Sequence, residues 1–134
     1  MIDIDAKLRE LLGKLADVTA MFGTHIYIAR SLPAGYKVAD GPALLAMVRG
    51  GSQAYSSQMY WPSVQFRCYA GTEKEARLAG RALYDALNDT QARGCAWIRM
   101  EEGTLPVLMN EPGSNWPYML EFFTLAMQNL CGEG

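Results

Sequence analysis

Between Pro62 and Asn88 the apolar positions change their period within a few residues, from every second position to every third or fourth. Val64, Phe66, Cys68 and Ala70 alternate with Ser63, Gln65, Arg67 and Tyr69, as a strand with one buried face requires. Gly71 ends that run. Thr72 and Glu75 then stand at capping-box spacing, where hydroxyl and carboxylate can each satisfy an orphan backbone N–H at a helix start. Beyond them Ala76, Ala79, Gly80, Leu83, Ala86 and Leu87 fall on one helical stripe. The first half of the stripe is small, so the helix can lie close to a sheet there, with Leu83 and Leu87 filling a wider gap beyond.

The rest of the chain is read around this strand–turn–helix unit. Asp3 can cap a first helix running to about Asp17, with Ile4, Leu8, Leu11, Leu15 and Val18 as its stripe and Leu12 at the border. Gly23 closes that segment. His25 to Ala29 is a short strand, and Ser31 to Gly41, with its glycines and proline, is a loop. Pro42 to Arg49 is a mostly apolar run that reads as a strand buried on both faces, or paired at its edge with little polar relief. Gly50 to Trp61 sets Tyr55, Met59, Tyr60 and Trp61 among small polar residues, which fits a long hairpin arm or a mobile loop between antiparallel strands. Thr90 to Gly94 reads as a turn, Ala96 to Glu102 as a strand, and Thr104 to Pro117, with three prolines and Gly113, as mostly irregular. Tyr118 to Gln128 is a long aromatic-rich closing strand. The order α, β, β, β, α, β, β predicts an α+β fold, a mainly antiparallel sheet with two helices packed on one face, as a single domain over residues 1–134.

Composition narrows the function classes. A chain of 134 residues with 50% hydrophobic and 19% charged positions is globular and sized for one core. Its net charge of −2 provides no general attraction to nucleic acid or to an anionic membrane. No apolar run approaches the ~20 residues that span a bilayer, and the opening MIDIDAKLRE is acidic where a signal peptide is basic and then apolar. Three cysteines, Cys68, Cys95 and Cys131, lack close spacing, so neither a disulfide framework nor a zinc site is expected.

Candidate chemistry is sparse. The one histidine, His25, lies in a strand, where a structural role is the ordinary one. Glu101 and Glu102 are adjacent, so in a strand they face opposite sides and do not form an acid–base pair. Neither Gly50–Gly51 nor the Gly71 turn carries a phosphate-binding glycine pattern. Cys68, Trp97 and Phe122 read as core, while Trp116, beside Pro117, divides evenly between packing and interface roles. No catalytic, cofactor or metal residue is assigned. Leu78 stands among Lys74, Arg77, Arg81 and Asp85, almost opposite Leu83 and Leu87. Together with the aromatics near the hairpin it suggests a subunit or partner interface formed by Tyr55, Met59, Tyr60, Trp61, Leu78 and Trp116.

An apolar strand, a polar hairpin, the VQFRCYA strand and a T-x-x-E-A-R-x-x-x-R-A-L-x-x-A-L helix follow one another in an order that resembles the tail-terminator or tail-completion (tail-to-head joining) proteins of long-tailed bacteriophages. The likeness runs from about His25 to Gln128. It rests on Val64, Gln65, Phe66, Tyr69 and Ala70, on Thr72, Glu75, Ala76, Ala79, Arg81, Ala82, Leu83 and Leu87, and on Tyr118 to Leu125 after a loop holding Glu111, Pro112 and Trp116. The Gly50–Trp61 segment has no counterpart in a fixed family pattern. The resemblance implies a structural virion protein of the tail and neck, assembled in the host bacterial cytoplasm. Such a protein forms a ring of six copies of itself, caps the major tail-tube protein, and meets a head-connector or head-closure protein. DNA passes through its channel without sequence-specific binding, and no cofactor or membrane is involved. A slightly acidic chain suits a channel that must not grip phosphates. Two alternatives stand beside it: another neck or tail subunit such as a head-closure or tube protein, and a small ligand-binding or enzymatic domain using His25 with Glu101 or Glu102.

Overall fold

The structure, a computed structural model, describes residues 4–53, 59–87, 90–92, 96–100 and 106–128. Helices α1 (Ile4–Lys14), α2 (Ala16–Phe22) and α3 (Glu73–Leu87) lie with strands β1 (Ile26–Ile28), β2 (Ala43–Gln53), β3 (Met59–Tyr69), β4 (Thr90–Ala92), β5 (Ala96–Met100), β6 (Val107–Asn110) and β7 (Pro117–Gln128). The strands form one sheet in the order β1-β2-β3-β7-β5-β4, antiparallel except that β1 runs parallel to β2. The α+β expectation is met. Strand β7 is its axis: one edge pairs with β3 along most of its length, while the other is shared by β6 at Pro117–Leu120 and β5 at Phe123–Met127. No helix among the described residues is long and apolar enough to cross a membrane.

Alternation decides which residues face the helices. Val64, Phe66, Cys68 and Ala70 are fully buried, as are Leu44 and Ala46 of β2 and Phe123 and Leu125 of β7, all on the helix side. Helix α3 covers β7 and β3, with α2 beside it. The expected stripe is the buried one: Ala76, Ala79, Gly80, Leu83, Ala86 and Leu87. At its start the Glu75 N–H donates to Thr72 Oγ1 at 3.2 Å, the cap that the Thr72/Glu75 spacing predicts. Phe66 and Phe123 meet edge to face beneath the helix, 5.6 Å apart.

Several boundaries differ from expectation. The first helix does not run to Asp17. It stops at Lys14, and Leu15, at φ −87° and ψ 107°, is extended before α2 restarts the winding. Gly13, a poor helix former, precedes the break. The break re-aims the chain so that Leu8 and Leu12 of α1 and Val18 and Phe22 of α2 all enter one core. Gly23 then caps α2 at φ 59°. Thr90–Ala92 is a strand and not part of a turn, because β5 offers it a ladder. Within the stretch expected to be irregular, Val107–Asn110 is a strand for the same reason, paired with the start of β7. Tertiary pairing, invisible to local composition, supplies those hydrogen bonds. Strand β2 continues past Arg49 to Gln53, with a register shift between Val48 and Gly51 where Gly50 takes φ 124°. A residue with a Cβ is strained there, which accounts for a glycine at the bulge.

Candidate interaction surface

The sheet has a second face, and its two ends differ. At the end near the β3 C-terminus, Tyr36, Ala43, Leu45, Tyr69 and Tyr118 form a smaller buried cluster, with Tyr27, Leu32 and Trp116 packed against it. The loop before β2 supplies Leu32 and Tyr36 as a partial lid. Tyr69, whose alternation put it on the polar side, is therefore buried. The rings of Tyr69 and Tyr118 lie 4.9 Å apart, and Tyr36 meets Trp116 edge to face at 5.8 Å. Burial pushes the Tyr36 phenol up to about 12, with Tyr27 and Asp40 adding to the effect, and its hydroxyl donates to the Gly41 carbonyl.

A polar network borders this cluster. Tyr69 OH donates to Glu111 Oε2 at 2.8 Å, and Arg67 Nη1 reaches the same oxygen at 3.4 Å. The Arg67 guanidinium sits 5.0 Å from the Tyr118 ring centroid, and the Gln65 amide oxygen accepts from Arg67 Nε at 3.0 Å. Burial raises the Tyr69 hydroxyl well above its ordinary range, although Arg67 beside it acts the other way. Tyr69 thus stays a hydrogen-bond donor, and Glu111 is an acceptor held in place.

Away from the lid the face is open. Register places Met47, Gln65, Arg67, Leu120 and Phe122 on it, all half-buried, and Val107 and Met109 of β6 extend it at 50% and 40% exposure. Phe122, expected in the core, lies here because it pairs with Gln65, out of phase with Phe123. The Arg49 guanidinium stacks over its ring at 4.4 Å.

The residues expected to form an interface are spread over the molecule. Leu78 is on the opposite, helical side and is 49% exposed. Trp116 is half-buried in the aromatic cluster, its ring against Tyr36. Trp61 is half-buried on β3 and pairs with Ser52 across the hairpin, while the backbone of Tyr60 pairs with Gln53 and that of Met59 with Gln128. Tyr55 lies outside the described residues, as do Glu101 and Glu102. His25 Nδ1 lies 2.9 Å from Tyr27 OH, and its ring lies 5.4 Å from that of Tyr36. It belongs to the aromatic stack. Among the described residues no group of His, Cys, Asp or Glu could hold a metal ion.

The chain matches no family model and no characterised protein sequence. Among solved structures it is similar to a chain in the virion of a native gene transfer agent particle, with a TM-score of 0.62 over 94% of this chain and 95% of that one, at 16% identity. The likeness is one of fold.

Two features escaped the sequence reading. Val107 and Met109 were hidden in a segment read as irregular. Glu121 was overlooked inside the closing strand, although it is in phase with Phe123 and Leu125 and so belongs to their face. It is fully buried, with Oε1 unpaired among the described residues and Oε2 3.8 Å from the Cys68 thiol. Gly80 lies over it, and a Cβ built there would come within 3.0 Å of Oε2. Burial drives its carboxyl up to about 8, against the contact with Cys68 and with help from Asp85. Burial likewise raises the Cys68 thiol well above its ordinary value, with Glu121 adding to the effect, which makes it an unreactive core group.

Proposed function

We propose that this protein is a structural component of a tailed-phage or phage-like virion. In the finer form of this reading it closes the tail tube as a homo-oligomeric ring, probed first as a hexamer, and forms the tail side of the head–tail joint, with DNA passing through the ring. The observation that carries the proposal is the end-to-end likeness to a chain of a gene transfer agent virion, which spans nearly all of both chains. The motif order from VQFRCYA through the α3 helix supports the tail-terminator form.

The surface suits assembly. A half-covered sheet face with exposed Val107 and Met109, and Leu78 on the helix layer, leaves apolar area that a neighbour can bury. The β2–β3 hairpin runs on beyond the end of β1, and past Ala46 no described strand pairs with β2 on the edge that β1 occupies. Met59, Tyr60 and Trp61 on that arm, with Leu78, Trp116 and Tyr55, are the proposed contacts to neighbouring copies, tube protein and head connector. The structural reading is supported by His25, which packs in an aromatic cluster with its Nδ1 against Tyr27 OH, and by Glu111, which is held by Arg67 and Tyr69.

The test is sedimentation velocity and negative-stain microscopy of the purified protein, alone and mixed with tail tubes of its own particle. Closed rings of uniform size, found at tube ends in the mixture, are expected, since a head-to-tail contact closes at one rotation angle. A strictly monomeric protein that leaves tube ends bare refutes the reading.

A further inference from the structure

Helix α3 separates two grooves of opposite charge. On its β6 side, a cavity of about 570 Å³ is lined by Arg77, Arg81, Gly80, Tyr84, Leu108 and Met119. On its α2 side, a cavity of about 410 Å³ is lined by Asp17, Ala20, Met21, Ala82 and Asp85. Neither groove has a charge of the other sign among these residues. Arg81 and Asp85 stand one turn apart on the same helix, yet no ion pair joins them, and none joins Arg77 or Asp17 to any described residue. Two guanidinium groups on one groove, and two carboxylates on the other, repel within each pair. Leu78, 49% exposed, lies on the ridge between them.

We propose that the two grooves are the two halves of one self-association surface, the occupant of each being a second copy of this chain. Arg77 and Arg81 of one copy enter the Asp17/Asp85 groove of the next, and Leu78 is covered between them. Charge complementarity carries the assignment. Among the described residues that line it, each groove lacks the countercharge that the other holds, and both lie on the same rigid helix, so a neighbour brings both guanidinium groups at a fixed spacing. The apolar floors, Leu108 and Met119 on one side and Met21 and Ala82 on the other, give the contact a desolvated centre in which charge pairs are less screened than at an open surface. Because the two grooves differ, the contact joins unlike patches and repeats from copy to copy. The inference rests on the ring reading only for the number of copies that the contact joins.

The experiment uses two double variants of the full chain, Arg77→Asp with Arg81→Asp, and Asp17→Arg with Asp85→Arg. All four positions are exposed, and both variants are checked for a wild-type thermal transition. Each alone places like charges across the contact, so its association constant by sedimentation velocity falls on the order of a hundredfold or more. Mixed in equal amounts, the two regain complementarity and assemble with alternating copies. Wild-type association also weakens as sodium chloride rises from 0.05 to 0.5 M, as the pairs are screened. Rings by wild type with unchanged rings by both variants overturn this inference and leave the ring reading standing. Wild-type open oligomers without closed rings, abolished in each variant and restored in the mixture, uphold the inference and overturn the ring. A wild type monomeric at every concentration overturns both.

Discussion

A fully buried carboxyl group with one oxygen unpaired among the described residues makes the stability of this protein depend on pH, and Glu121 predicts how. The unfolded carboxyl titrates near 4.5 and the folded one near 8. The folded form therefore holds a proton that the unfolded form has released. The stabilising effect of that proton is complete below pH 4.5, diminishes as pH rises from 4.5, and is gone above about 8. At ~1.4 kcal/mol per pH unit, the interval from 4.5 to about 8 corresponds to a loss of about 5 kcal/mol, of which about 3 kcal/mol has gone by pH 7. That is a large share of the ~5–15 kcal/mol by which domains are stable. Glu121→Gln keeps the shape and removes the ionisation. The buried amide must find acceptors that the acid did not need, so the absolute gain at neutral pH is smaller, about 1–2 kcal/mol. The slope is the cleaner observable. Urea unfolding of both proteins at half-unit steps from pH 5 to 8 should show the wild type losing about 3–4 kcal/mol relative to the variant over that range. Parallel curves refute the reasoning, because they mean that Glu121 is ionised in the fold or reached by water.

Other substitutions probe the same packing. Gly80→Ala gains helix propensity of about 1 kcal/mol, but the new Cβ would stand 2.8 Å from the Met119 Cβ and 3.0 Å from Glu121 Oε2. The expected net effect by urea denaturation is a destabilisation of about 1–3 kcal/mol, and a stabilised variant would show that α3 can move off the sheet. Leu83→Ala, at a fully buried position, should cost about 2–5 kcal/mol, whereas Leu78→Ala should stay within about 0.5 kcal/mol in the monomer and weaken association. Equal losses at the two positions by thermal unfolding would mean that the helix presents a different face. Thr72→Ala removes the acceptor of the Glu75 N–H and should cost about 1 kcal/mol, with Thr72→Ser restoring most of it in the same assay.

Local chemistry was sufficient for the strand–turn–helix unit. Side-chain alternation from Ser63 to Ala70, the Thr72 cap and the small-to-large stripe of α3 are each specified within a few residues, and the fold uses them as written. Gly23 was legible in the same way, as punctuation whose positive φ only glycine tolerates easily, whereas Gly50, expected beyond the end of its strand, sits at a bulge within it. What the sequence alone left open depends on partners far along the chain. Thr90–Ala92 and Val107–Asn110 carry weak local signals and become strands because β5 and β7 present unpaired ladder groups beside them. Tyr69 and Phe122 exchanged their expected environments because burial of the second sheet face depends on whether the Leu32–Tyr36 loop lies over it, and that loop covers only one end. Glu121 was polar by type and buried by phase, because β7 pairs it with Phe66 on the helix side, where Gly80 lies over it. The paired guanidinium groups on one side of α3 and the paired carboxylates on the other arise from the same cause. Sequence places Arg77, Arg81 and Asp85 on one helix, but the packing of β6 and α2 against opposite flanks makes one groove basic and the other acidic.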